Sequence, residues 1–479
     1  MTQYRELYQT GKFKACEEEC HKQLSVNQRD PDVWFALCLS LLSQKKWNEA
    51  LTASQDALEN LKLRPHEASM FHQFSGDASK GARDLGQALT HYTKASDLGP
   101  GRADAHYALA DCLFLENKFE SCERILERLF RIGGTVDDGY YAKALYMFSR
   151  LPGSTTVASF FEQYPTLKKD VDDPAFFFAI GNLLVRDEQF EISANFFDTA
   201  NLMLRSREPY NFSRDLQVLE LQQKKLDEAV NEGQGQFGPT FPRPVFIVGM
   251  PRTGSSLLEQ MLGAHSRVKP LGEGDWLLGS ILKEAKVTYG PKGMTLFFEK
   301  CRDERFCRDV RENFLSAVGQ DHEVVVDKTL QNFQFIELIR IIFPNALILH
   351  TKREKEPCIW SAYRQNFTAG VRFSESLTEL STYYDGVEAV IGKWGEKLPE
   401  QIVEVQYEEV ISDPEAMIRK ILQRIGLEFE STCVNPSEQS RKVNTASRVQ
   451  VTRPIYKTAN KDFEPFKDLV ASRLEELQA

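Results

Sequence analysis

Arg252 stands inside a short loop bounded by Gly249 and Gly254, and two hydroxyl residues, Ser255 and Ser256, follow at once. A guanidinium, a glycine-flanked turn rich in backbone N–H groups and two hydroxyls together form an anion cradle. The apolar β-branched run Pro244–Val248 precedes the loop, and an apolar segment of helical spacing begins at Leu257. Strand, loop and helix in that order aim a helix N-terminus at a phosphate. Gly249–Ser256 reads G-x-x-x-x-G-S-S, the nucleotide P-loop pattern without the lysine that reaches the β- and γ-phosphates of ATP. Ser255 occupies that place, so the loop suits a phosphate other than the terminal ones of ATP.

Further charged residues close other strand-like runs. Arg353 follows the run Asn345–Lys352, and Ser361 lies eight positions on, past Pro357. Lys328 follows Val324–Asp327, and Glu273 sits in the turn Leu271-Gly-Glu-Gly-Asp275. A cation pairs with phosphate oxygens, a hydroxyl adds a neutral donor, and a carboxylate accepts a proton.

Arg252-Thr-Gly-Ser-Ser-Leu257 resembles the 5′-phosphosulfate loop of sulfotransferases that use 3′-phosphoadenosine 5′-phosphosulfate (PAPS), written P-[RK]-[ST]-G-[TS]-[TS]. Four more segments resemble that family in its order. Arg353 and Ser361 match its arginine–serine pair for the 3′-phosphate, with Glu354-Lys355 replacing the usual Asp-Pro or Asp-Gly. Asp327–Phe333 matches D-K-x-P-x-N-F, with Leu330 for proline. Tyr407–Val410 and Asp413–Glu415 match Y-E-D-L…D-P-E, and Val443–Ile455 matches a late T-A-S-x-x-Q-V-R-x-P-I loop. The resemblance covers about residues 240–460 and is closest to the tyrosylprotein branch and to proteins that join tetratricopeptide repeats to a sulfotransferase domain.

It implies that Arg252, Thr253, Gly254, Ser255, Ser256, Leu257, Arg353, Ser361, Tyr407, Ser447 and Arg453 bind PAPS. It also implies that Arg252 and Lys328 stabilise developing charge, that Glu273 is the base, and that no metal is needed. Asp275 is a substitute for the base. The histidine used by small-molecule sulfotransferases after Lys328 is replaced by Thr329-Leu330; His265 and His350 read as structural.

The first half carries a different pattern. Phe13 and Trp47 are 34 residues apart, as are Pro31 and Pro65, and Asn117–Cys122 repeats the theme. An aromatic, a small residue three on and a closing proline at that period is the tetratricopeptide pattern. Gly181–Ala200 holds a weaker repeat. The expected organisation is a helical repeat domain over 1–232, degenerate in 133–180, a linker over 233–243 and an α/β parallel-sheet domain over 244–479.

A chain of 479 residues exceeds one ordinary core, and 42% apolar with 27% charged residues is a soluble composition. No apolar run reaches the length of a membrane span, and the polar N-terminus has no secretory h-region; a cytoplasmic location without membrane contact is expected. The net charge of −10 argues against nucleic acid. Nine scattered cysteines suggest no disulfide framework, and Cys16 and Cys20 read as packing residues on a helix. The acceptor is a peptide, carbohydrate or small molecule, and the repeat surface suits a protein partner or a homodimer contact equally. Two other readings stand beside the sulfotransferase: a P-loop kinase or NTPase, for which Val324–Asp327 would be the second phosphate-side strand, and a repeat-based scaffold with an inactive second domain.

Overall fold

The computed structural model describes residues 2–133, 137–228, 237–289, 303–367, 370–435 and 462–476. They form two compact units, Met1–Phe196 and Phe197–Ala479.

In the first unit the repeated aromatics become helix starts. The helices are α1 (Gln3–Gln9), α2 (Phe13–Val26), α3 (Pro31–Ser43), α4 (Trp47–Asn60), α5 (Pro65–Gly81) and α6 (Leu85–Leu98). They continue as α7 (Ala103–Leu115), α8 (Phe119–Ile132), α9 (Asp138–Arg150), α10 (Val157–Gln163), α11 (Pro174–Arg186) and α12 (Phe190–Arg207), whose first turns belong here. Pro31, Pro65 and Pro174 each occupy a first helical position, where the missing N–H has no cost. Alternate helix junctions, those inside each repeat pair, use one recurring turn. At Lys45, Arg83, Asn117 and Glu188 the backbone is left-handed, and at each the two N–H groups return to carbonyls three and five residues back. That is the Schellman helix stop, which glycine fills most easily; among the described turns of this kind in the unit, Gly11 does so.

Small residues let the helices approach: Ala50, Ala57, Ala78, Ala88, Ala95 and Ala110 are fully buried, as are Cys16 and Cys20. The cysteines are therefore packing residues, as expected, and Cys16 Sγ donates to the Tyr4 carbonyl (3.1 Å). Within 133–180 the repeat shrinks. α10 has seven residues, and Phe130 fills the space with edge-on contacts to Tyr141, Phe148 and Phe160.

The second unit continues with α13 (Phe212–Glu228) and is built on five parallel strands: β1 (Arg243–Gly249), β2 (Val268–Gly272), β3 (Val324–Asp327), β4 (Leu347–Lys352) and β5 (Ile402–Gln406). Their spatial order is β2-β3-β1-β4-β5, so the apolar run before the loop is the central strand. Six of its seven residues are buried, which is why it reads as continuous rather than alternating hydrophobicity. Its side chains still divide between two faces. Val245 and Ile247 join a core with α14 (Ser255–Gly263) and the later helix Pro414–Ile425. Phe246 faces the other way, onto Phe314 and Phe343. The chain thus holds the expected helical repeat region and an α/β parallel sheet covered on both faces. The remaining helices are α15 (Trp276–Tyr289), α16 (Glu304–Val318), α17 (Ile336–Ile342), α18 (Lys355–Tyr363), α19 (Leu377–Lys397), α20 (Tyr407–Ser412), α21 (Pro414–Ile425) and α22 (Lys467–Glu476). α13 packs on α19, with Leu219 against Gly386, where a Cβ would lie 2.6 Å from its methyl.

Candidate functional site

Because all five strands are parallel, their C-terminal ends lie along one edge, and the residue after each strand projects there. In spatial order those residues are Glu273 after β2, Lys328 after β3, the Met250–Gly254 loop after β1, Arg353 after β4 and Tyr407 after β5. Neighbouring strands are about 4.8 Å apart, so β3 and β4 flank the central loop at a separation of about 10 Å. β1 is also where successive connections leave in opposite directions, the usual ligand crevice of an open α/β sheet.

The loop is possible only with its glycines. Gly249 has φ +134°, and a Cβ there would lie 2.6 Å from the Thr351 carbonyl oxygen. Gly254, with φ +83°, caps α14, and a Cβ would run into the ring of Tyr407. Arg252 takes the left-handed region without being glycine (φ +73°), a strained choice of the kind found at functional loops. The hydroxyls of Thr253 and Thr351 lie 2.8 Å apart and tie the loop to β4, while Thr253 donates to the Met250 carbonyl (2.8 Å). Ser255, Ser256 and Leu257 form the buried first turn of α14.

Arg252 Nε donates to Ser361 Oγ (2.9 Å), and Arg353 Nη1 donates to the Arg252 carbonyl (3.2 Å). Two residues more than 90 positions apart in sequence from Arg252 therefore meet it at one point. Arg353 is itself held by Tyr407, whose ring lies 4.9 Å beneath its guanidinium, and by Tyr384, whose hydroxyl donates to its carbonyl (2.7 Å). A cleft opens here, lined by Arg252, Arg353, Ser361, Arg364, Tyr407 and Asp462 among others.

On the other side of the loop Lys328 is fully buried, and its ammonium pairs with Glu273 and lies 4.0 Å from Glu259. Glu259 is also buried and accepts from the Gly272 N–H (2.7 Å), so it fixes the turn that carries Glu273. Thr329 Oγ1 donates to the Gly274 carbonyl (2.6 Å), closing the turn from the β3 side. Glu273 keeps about half of its side chain in solvent. Burial pushes the Asp327 carboxyl up to about 6, against the bonds it receives from Thr329.

The structure therefore brings Arg252, Thr253, Gly254, Ser255, Ser256, Leu257, Arg353, Ser361 and Tyr407 to one loop, and joins Glu273 to Lys328 beside it. Ser447 and Arg453 lie outside the described residues. His265 is held structurally, accepting from the Arg267 N–H and facing the Glu428 carbonyl, each at 3.0 Å. His350 is bound to Glu388 (3.0 Å). Nothing in the sequence pattern marks Thr351, Arg364 or Asp462, which also lie here, as does Glu259. Glu259 alone left a trace, as the one acidic residue of α14, a helix buried along its whole length.

Among the described residues no group of three or more His, Cys, Asp or Glu is arranged to hold a metal, and no helix is long and apolar enough to cross a membrane.

Residues 244–431 match the family model described as Sulfotransferase family, and residues 81–146 match one described as Tetratricopeptide repeat. An uncharacterized protein of Aquifex aeolicus (strain VF5) is 31% identical over 265 residues, covering 52% of this chain and 34% of that protein. Protein-tyrosine sulfotransferase 2 of Gallus gallus is 22% identical over 215 residues, covering 44% of this chain and 58% of that protein. The chain thus spans about a third of the first relative and less than two thirds of the second. Among solved structures, the sulfotransferase domain of the Synechococcus PCC 7002 olefin synthase aligns at 18% identity and a TM-score of 0.36, over 50% of this chain and 98% of that one. A sulfotransferase from Mycobacterium tuberculosis H37Rv aligns at 14% and 0.29, over 70% and 93%.

Proposed function

We propose, for a chain that carries a sulfotransferase-family domain together with tetratricopeptide repeats, that it transfers a sulfuryl group from PAPS to an acceptor hydroxyl. The observation that carries this reading is the convergence of Arg252, Arg353 and Ser361 on one glycine loop that has a serine where a nucleotide kinase has lysine. Two guanidiniums, a hydroxyl and the N-terminus of α14 suit two separate phosphates better than one triphosphate. The glycines whose Cβ atoms would strike Thr351 and Tyr407 leave room for backbone to approach a phosphate closely. The residues fit the donor.

In this account Arg353, Ser361 and Tyr407 hold the 3′-phosphate side of the nucleotide, and the Arg252–Leu257 segment holds the 5′ side. The bound donor supplies an activated sulfuryl group. Arg252 and Lys328 place positive charge beside the leaving oxygen, where a preorganised cation lowers the barrier most. Glu273 removes the acceptor proton with its solvent-facing carboxylate, and the buried ammonium of Lys328 orients that carboxylate. By analogy with the named relative the acceptor is a tyrosine hydroxyl in a peptide, and the repeats hold the protein that bears it. A cytoplasmic setting suits the scattered cysteines, the described ones of which are buried.

Calorimetric titration with adenosine 3′,5′-bisphosphate, beside Mg²⁺·ATP, tests the reading. Saturable binding of the bisphosphate that Arg353→Ala weakens is expected. Binding of ATP in its place would return the loop to kinase chemistry.

A further inference from the structure

Among the described residues two carboxylates share the Lys328 ammonium, and they reach it from unlike places. Glu273 sits on the turn after β2 with about half of its side chain in solvent, and receives the acceptor proton in the proposed transfer. Glu259 comes from the middle of α14, a helix buried along its length, and lies 4.0 Å from the fully buried ammonium. Its other oxygen accepts from the Gly272 N–H (2.7 Å), while the Lys328 N–H donates to the Gly272 carbonyl (3.2 Å). The turn that carries Glu273 is thus tied to both residues. A neutral glutamine would serve the Gly272 N–H as well. Carboxylates are almost never buried without a partner for their charge, so the charge of Glu259 answers to Lys328.

In the transfer the acceptor O–H bond breaks and its proton passes to Glu273, while the acceptor oxygen bonds to sulfur. The sulfur–oxygen bond to the donor phosphate breaks, and its electron pair stays on the phosphate oxygen. Glu273 therefore ends neutral, and its ion pair with Lys328 is gone. A buried charge that loses its partner is strongly destabilising. We propose that Glu259 is a positioning residue acting through Lys328: it is the counter-charge that remains when Glu273 is neutralised, and it keeps the ammonium and the turn in register throughout. An ammonium divided between two carboxylates also holds Glu273 less tightly, so Glu273 takes the proton more readily. The inference rests on the sulfuryl-transfer reading above.

Glu273→Gln imitates the neutral base, so the first test needs neither donor nor acceptor. Urea denaturation of the full chain, followed through the buried Trp360 and Trp394, compares wild type, Glu273→Gln, Glu259→Gln and the double variant. Glu273→Gln should lower the folded-to-unfolded ratio at least about tenfold more in the Glu259→Gln background than in the wild type. Adding Lys328→Met should remove that excess. If the double variant does not fold, recovery of folding on adding Lys328→Met is the same result. Additive costs overturn the counter-charge assignment, since packing and the Gly272 bond alone give no such coupling. Bisphosphate release from PAPS with tyrosine peptides supplies a second readout. Glu259→Gln should slow turnover about tenfold while its calorimetric affinity for adenosine 3′,5′-bisphosphate stays within about twofold. Unchanged turnover overturns the role in transfer. A wild-type chain that binds no bisphosphate overturns the donor reading instead, and the unfolding comparison still decides the counter-charge.

Discussion

Replacing Lys328 by methionine removes a fully buried ammonium that faces two carboxylates in unlike surroundings. Glu259 is 4% exposed and Glu273 is 49% exposed. Glu273 turns to water when its partner is lost, whereas the buried Glu259, which accepts from the Gly272 N–H, cannot. Breaking a buried pair from one side costs about 3–5 kcal/mol, because the remaining charge is uncompensated. That is a large part of the roughly 5–15 kcal/mol that holds a domain together. Glu273→Gln costs less than this, because the amide oxygen still accepts from the Lys328 ammonium and Glu259 still balances its charge. The double variant Lys328→Met/Glu259→Gln removes the stranded charge and regains more than half of the loss. Urea denaturation followed through Trp360 and Trp394, both buried in this unit, measures all three. A Lys328→Met cost below about 1 kcal/mol, or a Glu273→Gln cost equal to it, would refute the buried-network argument.

Other expectations are as direct. Lys45→Gly and Glu188→Gly relieve left-handed strain at two helix stops and raise stability by about 0.5–1 kcal/mol each; a lower melting temperature would contradict this. Gly254→Ala drives a methyl towards Tyr407 and so disturbs Arg353, weakening adenosine 3′,5′-bisphosphate at least about tenfold by calorimetry; unchanged affinity would mean the ring is free to move. His72 lies in the repeat unit with its Nδ1 3.2 Å from that of His91, and burial, then His91 and Lys94, lower its pKa to about 4. His72 stays neutral in the fold but is protonated in the unfolded chain below its usual value near 6.5. Stability therefore falls as pH drops from there towards 4, by roughly 1–2 kcal/mol for a partly exposed group. His72→Gln should flatten that part of the pH profile of unfolding, and an equal acid sensitivity would contradict the assignment.

The loop and the strands around it were legible because their signals are local. A buried parallel strand is an unbroken β-branched run, and a phosphate loop needs glycines at positions the sequence displays. The repeat was legible for the same reason, since Phe13 and Trp47 mark equivalent helix starts. What the sequence did not carry depends on packing across long separations. Glu259 became important only when α14 brought it under Gly272, and Asp462 only when its segment met Arg353 and Arg364 in one cleft. The docking of Leu219 on Gly386 left no mark, because it joins two helices far apart in sequence. The left-handed Lys45, Arg83 and Glu188 were hidden for another reason. Propensity points to glycine at such positions, and tertiary packing of the hairpin overrides it.

The most direct measurement is the appearance of adenosine 3′,5′-bisphosphate, resolved chromatographically, when the purified chain is given PAPS with tyrosine peptides, carbohydrates or small hydroxyl compounds. Release of bisphosphate matched mole for mole by sulfated acceptor is expected, strongly reduced in Glu273→Gln and Arg353→Ala. No transfer to any of the three acceptor classes, with Mg²⁺·ATP consumed by the same preparation, would contradict it.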